Sequence, residues 1–521
     1  MAPDQFARRA VPSTGDLSKS ATGGFLVFAV AVLPLLFLPK PSLGGEAVFL
    51  WPKVVWLFAV IVPAALLSVR GSGLRLRSFA LPIALVGWML TASAFQADPW
   101  RSLVGRTERL DGALSHIGLI VALAGGAAIG VRGLGSRLLS TVGAVGGVVA
   151  VGSVLQRVGI IGALADQRQS FLLVDLPSST IGNRGFAACF LAATLPLTLW
   201  RAAATNTPHR WLALSSVSAL AIGFGWSRGA TLAAVIGIVI FVVTAIGQRR
   251  RAAALGVVAL VSLALGTVFA DPGDGTSTAR TFSATDSGRT ALYRASAEGI
   301  VAHPIIGLGA GGVLRALSSA DPADVLAWAH IPATAAARSS RSTPRLLVID
   351  YTAADGVRRQ YLNITTKVHN ELVDYAVSYG LPAAILAAAL FLAALWRSRS
   401  HPALVGSLAA FATGLLTWPQ VMRTAPVLWT FLGLALTMQA DRRNSSAQRV
   451  VDRADEPVTP RIEGEVGVHL GHDVGEGHTM VRVGEPNRSA GASVAETRIS
   501  RRSAERGSRQ RESETEAALS E

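Results

Sequence analysis

The sequence predicts an all-α polytopic membrane protein of about twelve transmembrane helices. A large external loop subdomain separates helices 9 and 10, and a disordered cytoplasmic tail follows the last span. Three observations predict this class. Half of the 521 residues are apolar and the mean hydropathy is +0.43, which sets the chain in the membrane class. The apolar residues come in blocks, and a helix needs about 20 of them to cross the hydrocarbon core. Blocks such as Ala252–Ala270 are continuous and lack the two-residue alternation of a barrel strand.

Taken in order, the candidate spans cover about residues 25–39, 47–68, 79–96, 115–130, 138–160, 186–203, 211–226, 230–247, 252–270, 372–396, 402–417 and 424–440. Together they define a transmembrane domain over residues 25–440. Residues 1–24 precede it, and the first block lacks a small-residue cleavage site, so it reads as a retained span rather than a signal peptide. Orientation follows from alternate connections. One set is basic: Arg8, Arg9 and Lys19, then Arg70/Arg75/Arg77, Arg132/Arg137, Arg201/Arg210, Arg249–Arg251, Arg397/Arg399 and Arg442/Arg443. By the positive-inside rule that set is cytoplasmic, with both termini inside. The opposite set, comprising 97–114, 161–185, the Gly225–Gly229 turn, 271–369 and Trp418–Arg423, faces outward.

The net charge of +15 does not mark a nucleic-acid partner. Residues 441–521 hold 13 arginines and lysines against 15 acids, so the surplus lies in the membrane part, where topology accounts for most of it. The tail, rich in Arg, Glu, Ser and Gly and poor in aromatics, reads as disordered. Cys189 is the single cysteine and excludes an intramolecular disulfide. No Cys/His cluster has zinc spacing, and His469, His472 and His478 fall in the tail, so neither metal nor cofactor is expected.

The outward segment 271–369 carries folded elements. Gly288–Ile300 has helical apolar spacing and begins near Arg289, with Arg294 one turn on; His303-Pro304 ends it. The glycine cluster Gly307–Gly312 allows a close backbone approach, but it lacks the strand and the Lys-Ser/Thr of a nucleotide phosphate loop. Arg345–Tyr351 and Gly356–Tyr361 alternate around Ala354-Asp355-Gly356, the pattern of a hairpin.

Chemistry-bearing residues collect on the outward side. His369 stands just before a helical block, where an imidazole can take a proton from a hydroxyl near neutral pH; a helix cap or snorkelling histidine would use the same position. Arg228 lies in the tight turn Gly225-Trp226-Ser227-Arg228-Gly229, Arg184 in Gly182-Asn183-Arg184-Gly185-Phe186, and Arg423 in Trp418–Arg423. Singly, each arginine is accounted for as an interfacial anchor. Several at one face match a pyrophosphate, because guanidinium forks pair with phosphate oxygens.

This arrangement resembles the bacterial O-antigen ligase and O-antigen polymerase superfamily over about residues 25–440. Four pieces carry the resemblance: Gly182-Asn183-Arg184-Gly185-Phe186-Ala187; Ser227-Arg228-Gly229-Ala230; Arg289 followed by Pro304-Ile305-Ile306-Gly307-Leu308-Gly309; and His369-Asn370-Glu371-Leu372 followed by Gly380. The resemblance implies a metal-independent membrane glycosyltransferase of the bacterial inner membrane, acting on its periplasmic or external face. Its donor would be a glycan on a polyprenyl pyrophosphate, and its acceptor a lipid, protein or glycan. Catalytic roles fall on His369, toward the acceptor hydroxyl, and on Arg289 and Arg228, toward the leaving pyrophosphate. Substrate-binding roles fall on Arg184, Asn183, Asn370, Arg423 and Arg294, with Asn370 orienting the imidazole by adjacency. Gly185, where many members carry asparagine, and Leu372-Val373, in place of an aromatic, depart from the family pattern and bear on acceptor identity. Polymerisation of lipid-linked repeat units uses the same donor chemistry. Non-catalytic transport of lipid-linked sugar is the alternative of another class, and would place ionisable groups near mid-membrane in two similar halves.

Overall fold

Continuous apolar sequence forces helices, because a backbone in lipid must satisfy its own hydrogen bonds. A computed structural model of the chain describes residues 14–38, 47–70, 72–74, 76–105, 110–162, 177–270, 289–331, 336–343, 346–363, 367–420 and 422–438. In chain order the helices are α1 (Ala21–Leu35), α2 (Val48–Val69), α3 (Leu76–Ala94), α4 (Pro99–Val104), α5 (Ala113–Val131), α6 (Gly135–Arg157), α7 (Arg184–Ala204), α8 (Pro208–Phe224), α9 (Arg228–Thr244) and α10 (Ile246–Phe269). After α10 come α11 (Arg289–Ala302), α12 (Gly312–Ser319), α13 (Pro322–Trp328), α14 (Glu371–Tyr379), α15 (Leu381–Ser398), α16 (Pro402–Leu415) and α17 (Ala425–Met438). Seven of these, α2, α3, α5, α6, α7, α10 and α15, are long and apolar enough to cross a membrane; α1, α9, α16 and α17 are shorter apolar helices. Eleven of the twelve apolar blocks of the sequence fall on one helix each, and the block at 372–396 falls on two. The tail expected over 441–521 lies outside the described residues, as do residues 271–288 at the start of the loop segment.

Burial separates the centre from the rim. In α7, 78% of the most apolar window is buried within the protein, against 28% in α10 and α15, so α7 is the central helix and the other two present side chains such as Val257, Val261, Ile385 and Leu392 to lipid. α6, α8, α9 and α16 pack around α7. Small residues let the backbones close: Gly237 and Gly406 face each other across Pro196 of α7, and Ser407 Oγ donates to the Ala193 carbonyl at 2.6 Å in the turn before that proline.

The block at 372–396 was expected as one span and is not. The helix breaks at Gly380, whose φ of +85° is a glycine conformation, into α14 and α15. The break is made by the glycine loop. Leu308 and Gly309 donate their N–H groups to the carbonyls of Val377 and Ser378, both at 2.8 Å, and Leu381 N–H donates to the Pro304 carbonyl at 2.8 Å. The loop therefore satisfies the last carbonyls of α14, groups that a helix end leaves open. Cβ atoms at Gly307, Gly312 and Gly380 would strike this backbone, which accounts for the glycines without a ligand.

The segment between α10 and α15 is not all helical. A three-stranded antiparallel sheet, β1 (Ala336–Ser342), β2 (Leu347–Thr352) and β3 (Arg358–Asn363), accompanies α11 to α14. β2 and β3 form the expected hairpin, Leu347 opposite Asn363 and Thr352 opposite Arg358, turning at Gly356. β1, Ala-Arg-Ser in sequence, had no strand signal; it is an exposed edge recruited by the central β2. Leu347, Ile349 and Tyr351 of β2 share a buried cluster with Leu292, Ala295, Val313 and Leu317.

Gly380→Ala should lower unfolding stability by about 2–3 kcal/mol, the scale of backbone strain with steric conflict, read as thermal unfolding in detergent. Gly87→Ala in α3, where a Cβ meets only open space, should leave the melting temperature unchanged. Equal behaviour of the two variants would contradict the packing described.

Candidate functional site

Trp418, just after α16, joins the motifs that sequence reading had set apart. Its Nε1 donates to Ser227 Oγ at 2.8 Å, and Ser227 is the N-cap of α9, its hydroxyl accepting from Ala230 N–H. The indole stands edge-on to Phe186 of α7, with ring centroids 5.5 Å apart, and edge-on to the His369 imidazole at 5.4 Å. A side chain on Gly185 would collide with the indole and one on Gly229 with Thr417, so both helix starts close on this segment only as glycines. His369 thus shares one aromatic wall with the starts of α7 and α9.

Arg184 and Arg228 are each the first residue of a helix, α7 and α9, and Arg289 is the first described residue of α11. A helix N-terminus carries a partial positive charge and favours anions; a cation there is disfavoured by about 0.3–1 kcal/mol. Two arginines so placed make fields suited to a negatively charged ligand. Arg228 is exposed and Arg184 half-buried. Arg289 is half-buried on α11, and Ala291, Leu292 and Ala295 of that helix share a buried cluster with Val368, the neighbour of His369, and Val377 of α14. Arg294 is exposed on the face of α11 away from this packing and is not brought into the group.

Other expected binding residues have structural duties. Asn183 Oδ1 accepts from Gly185 and Phe186 N–H at 2.9 and 3.3 Å, and Asn370 Oδ1 accepts from Leu372 and Val373 N–H at 3.1 and 3.3 Å. Both are N-caps. The His369 imidazole meets the ring of Trp418. Arg423 is buried behind the wall: its guanidinium lies 5.9 Å from the ring centroids of Phe49 and Phe186, and Nη1 donates to the Ile181 carbonyl at 3.0 Å. Lys53, fully buried in α2, donates to the Thr180 carbonyl at 2.7 Å. The two cations clamp the loop that presents Asn183 and Arg184.

Sequence reading missed Trp418 and the charged cluster behind His369. Lys367 Nζ lies 3.4 Å from Glu371 Oε1 and 3.0 Å from Asp374 Oδ2, all three buried. Glu371 Oε2 accepts from Gln420 N–H at 2.7 Å, and Gln420 Oε1 accepts from Trp429 Nε1 at 3.2 Å. The cluster therefore fixes Gln420 two residues beyond the tryptophan that meets His369. Burial pushes the Glu371 carboxyl up to about 7, against the pull of Lys367; Asp374 adds to the rise. Burial works against the Lys367 ammonium, but Asp374 and Glu371 outweigh it and hold the group above its ordinary range.

Backbone strain marks the same turns. Among the described residues, five other than glycine have positive φ, and three of them are Ser179, Trp226 and His369, at +47°, +50° and +61°. Strain of this kind, of order 1–3 kcal/mol each, persists where surrounding structure imposes it and gathers at functional sites.

Fold and site define a polytopic membrane protein in which two helix-start arginines, Arg289 and a histidine accompany a large loop segment. Residues 212–335 match a family model described as O-antigen ligase. The match supports the O-antigen ligase and polymerase superfamily that the four motifs resemble, and it contains Arg228, Arg289 and Arg294. A comparison with curated proteins finds no match.

Because the folded-state pKa of Glu371 is raised above its ordinary 4.5, its contribution to stability is present below that value and is lost as pH rises through about 7. Wild-type melting temperature should therefore fall relative to Glu371→Gln between pH 5 and 8 in detergent. A constant difference across that range would contradict the assignment.

Proposed function

We propose that the protein transfers a glycan from a polyprenyl pyrophosphate carrier to an acceptor hydroxyl or amide at the outer face of the bacterial inner membrane, as a ligase. The observation that carries this reading is the meeting of His369 with the starts of α7 and α9 on Trp418. His369 takes the acceptor proton as the acceptor oxygen or nitrogen bonds to the anomeric carbon. The bond from that carbon to the phosphate oxygen breaks, and the pyrophosphate leaves with its charge spread over Arg228 and Arg289, with Arg184 beside them. The α7 and α9 N-termini add their dipoles to the same charge.

In this reading the transmembrane domain is 25–440, the 271–369 segment lies outside, and residues 1–24 and 441–521 lie in the cytoplasm. The arrangement of basic connections supports that orientation. Polymerisation would run on the same donor half, with a second lipid-linked repeat unit as acceptor.

Protein in liposomes supplied with polyprenyl pyrophosphate-linked oligosaccharide and candidate acceptors should release polyprenyl pyrophosphate and yield glycosylated acceptor. His369→Ala, Arg228→Ala and Arg289→Ala should each lower transfer by about a hundredfold or more at normal expression and insertion. Donor crossing the bilayer with its anomeric bond intact would sink the reading, and wild-type turnover in the variants would sink the site. For orientation, cysteines placed at Ser339 and Ser445 in a Cys189→Ser background should react with an impermeant reagent from outside at 339 alone.

A further inference from the structure

At the far end of α14 from His369, a cavity of about 590 Å³ opens between the α3–α4 turn and the glycine loop. Its polar lining includes Arg101, Arg315, His303, Gln96, Ser318 and Thr343, and Phe95 stands exposed on its apolar side. None of these residues has a part in the transfer step proposed above.

The site is built. Gln96 Nε2 donates to the Ile306 and Gly307 carbonyls at 2.8 and 3.1 Å, which ties the end of α3 to the loop that caps α14. Arg315 Nη1 donates to the Leu308 carbonyl at 2.5 Å, which fixes the guanidinium from one side. A Cβ at Gly309 would meet Arg315 and Ser102, so the loop passes close over the arginine. Burial, then the neighbouring Arg101 charge, disfavours the charged form of Arg315, and Asp98 opposes them. The guanidinium groups of Arg101 and Arg315 thus share one wall with Asp98 near them, and His303 lies at the rim.

Two arginine forks select carboxylate or phosphate oxygens. Hydroxyls and an amide beside an exposed aromatic ring suit a sugar, whose ring edges are polar and whose faces are apolar. α14 has nine residues, so its two ends lie about 13 Å apart. A chain of a few sugars spans that distance. We infer that this cavity is a binding subsite for an acidic sugar, carrying carboxylate or phosphate, within the oligosaccharide whose reacting end lies at His369. The inference rests on the glycan-transfer reading and names the chemical class of its substrate.

The test measures binding rather than transfer, so its failure is distinct from failure of the transferase reading. Full-length protein in a non-ionic detergent is titrated with tri-galacturonate and with neutral maltotriose. Wild type should bind the acidic trisaccharide about ten times more tightly, which corresponds to about 1.4 kcal/mol. Arg101→Gln and Arg315→Gln should each remove the preference at unchanged melting temperature, and Arg228→Ala should keep it. Should Arg315→Gln unfold, Arg101→Gln and His303→Gln carry the test. Equal affinity for the two sugars, or a preference that survives Arg101→Gln, would overturn the proposal. So would loss of the preference on adding phosphatidylglycerol vesicles but not phosphatidylcholine vesicles, which would assign the cavity to a lipid headgroup.

Discussion

The placement of Trp418 is the constraint on which the site depends. Its indole bonds the hydroxyl that caps α9, lies against Phe186 near the start of α7, and meets the imidazole of His369. Gly185 leaves room for it, and Gly229 leaves room for the neighbouring Thr417. A large aromatic fixes three backbones with only two side-chain torsions of its own, so little freedom is lost in ordering it. The buried Lys367, Glu371 and Asp374 extend the constraint behind the histidine, because Glu371 holds Gln420 by its backbone N–H. A buried charge cluster is weak evidence for stability, since desolvation offsets attraction. Its use here is geometric: it fixes Gln420, two residues from Trp418, against the start of α14.

Charge placement follows a different logic from the helices that carry it. In the membrane, a cation is costly and an arginine at a helix N-terminus faces an unfavourable dipole. Arg184 and Arg228 both take that position. The arrangement is intelligible when a multiply charged anion is the ligand, because guanidinium and dipole then act in the same direction. Glycines 307 and 309 belong to packing instead: N–H groups of their loop serve the carbonyls of α14.

Apolar blocks were legible because lipid imposes one solution on them, and all but the block at 372–396 fall on one helix each. The end of α11 and the β2–β3 hairpin were legible from His303-Pro304 and Asp355-Gly356, which act locally. The break at Gly380 was not, since it depends on a loop some seventy residues earlier in the chain. Arg228 and His369 stood out by residue type and position, whereas Trp418 looked like any interfacial tryptophan, because its partners at 186, 227 and 369 are remote in sequence. Asn183 and Asn370 were read as binding groups; their backbone-capping role was overlooked although asparagine before a helix favours it.

The most direct measurement is a structure of the protein in a lipid nanodisc with undecaprenyl pyrophosphate. Phosphate density should lie within hydrogen-bond reach of Arg228 and Arg289, on the side of Trp418 that His369 faces. Phosphate bound elsewhere, with Arg228 turned to solvent and His369 remote from it, would rule out this site for the leaving group.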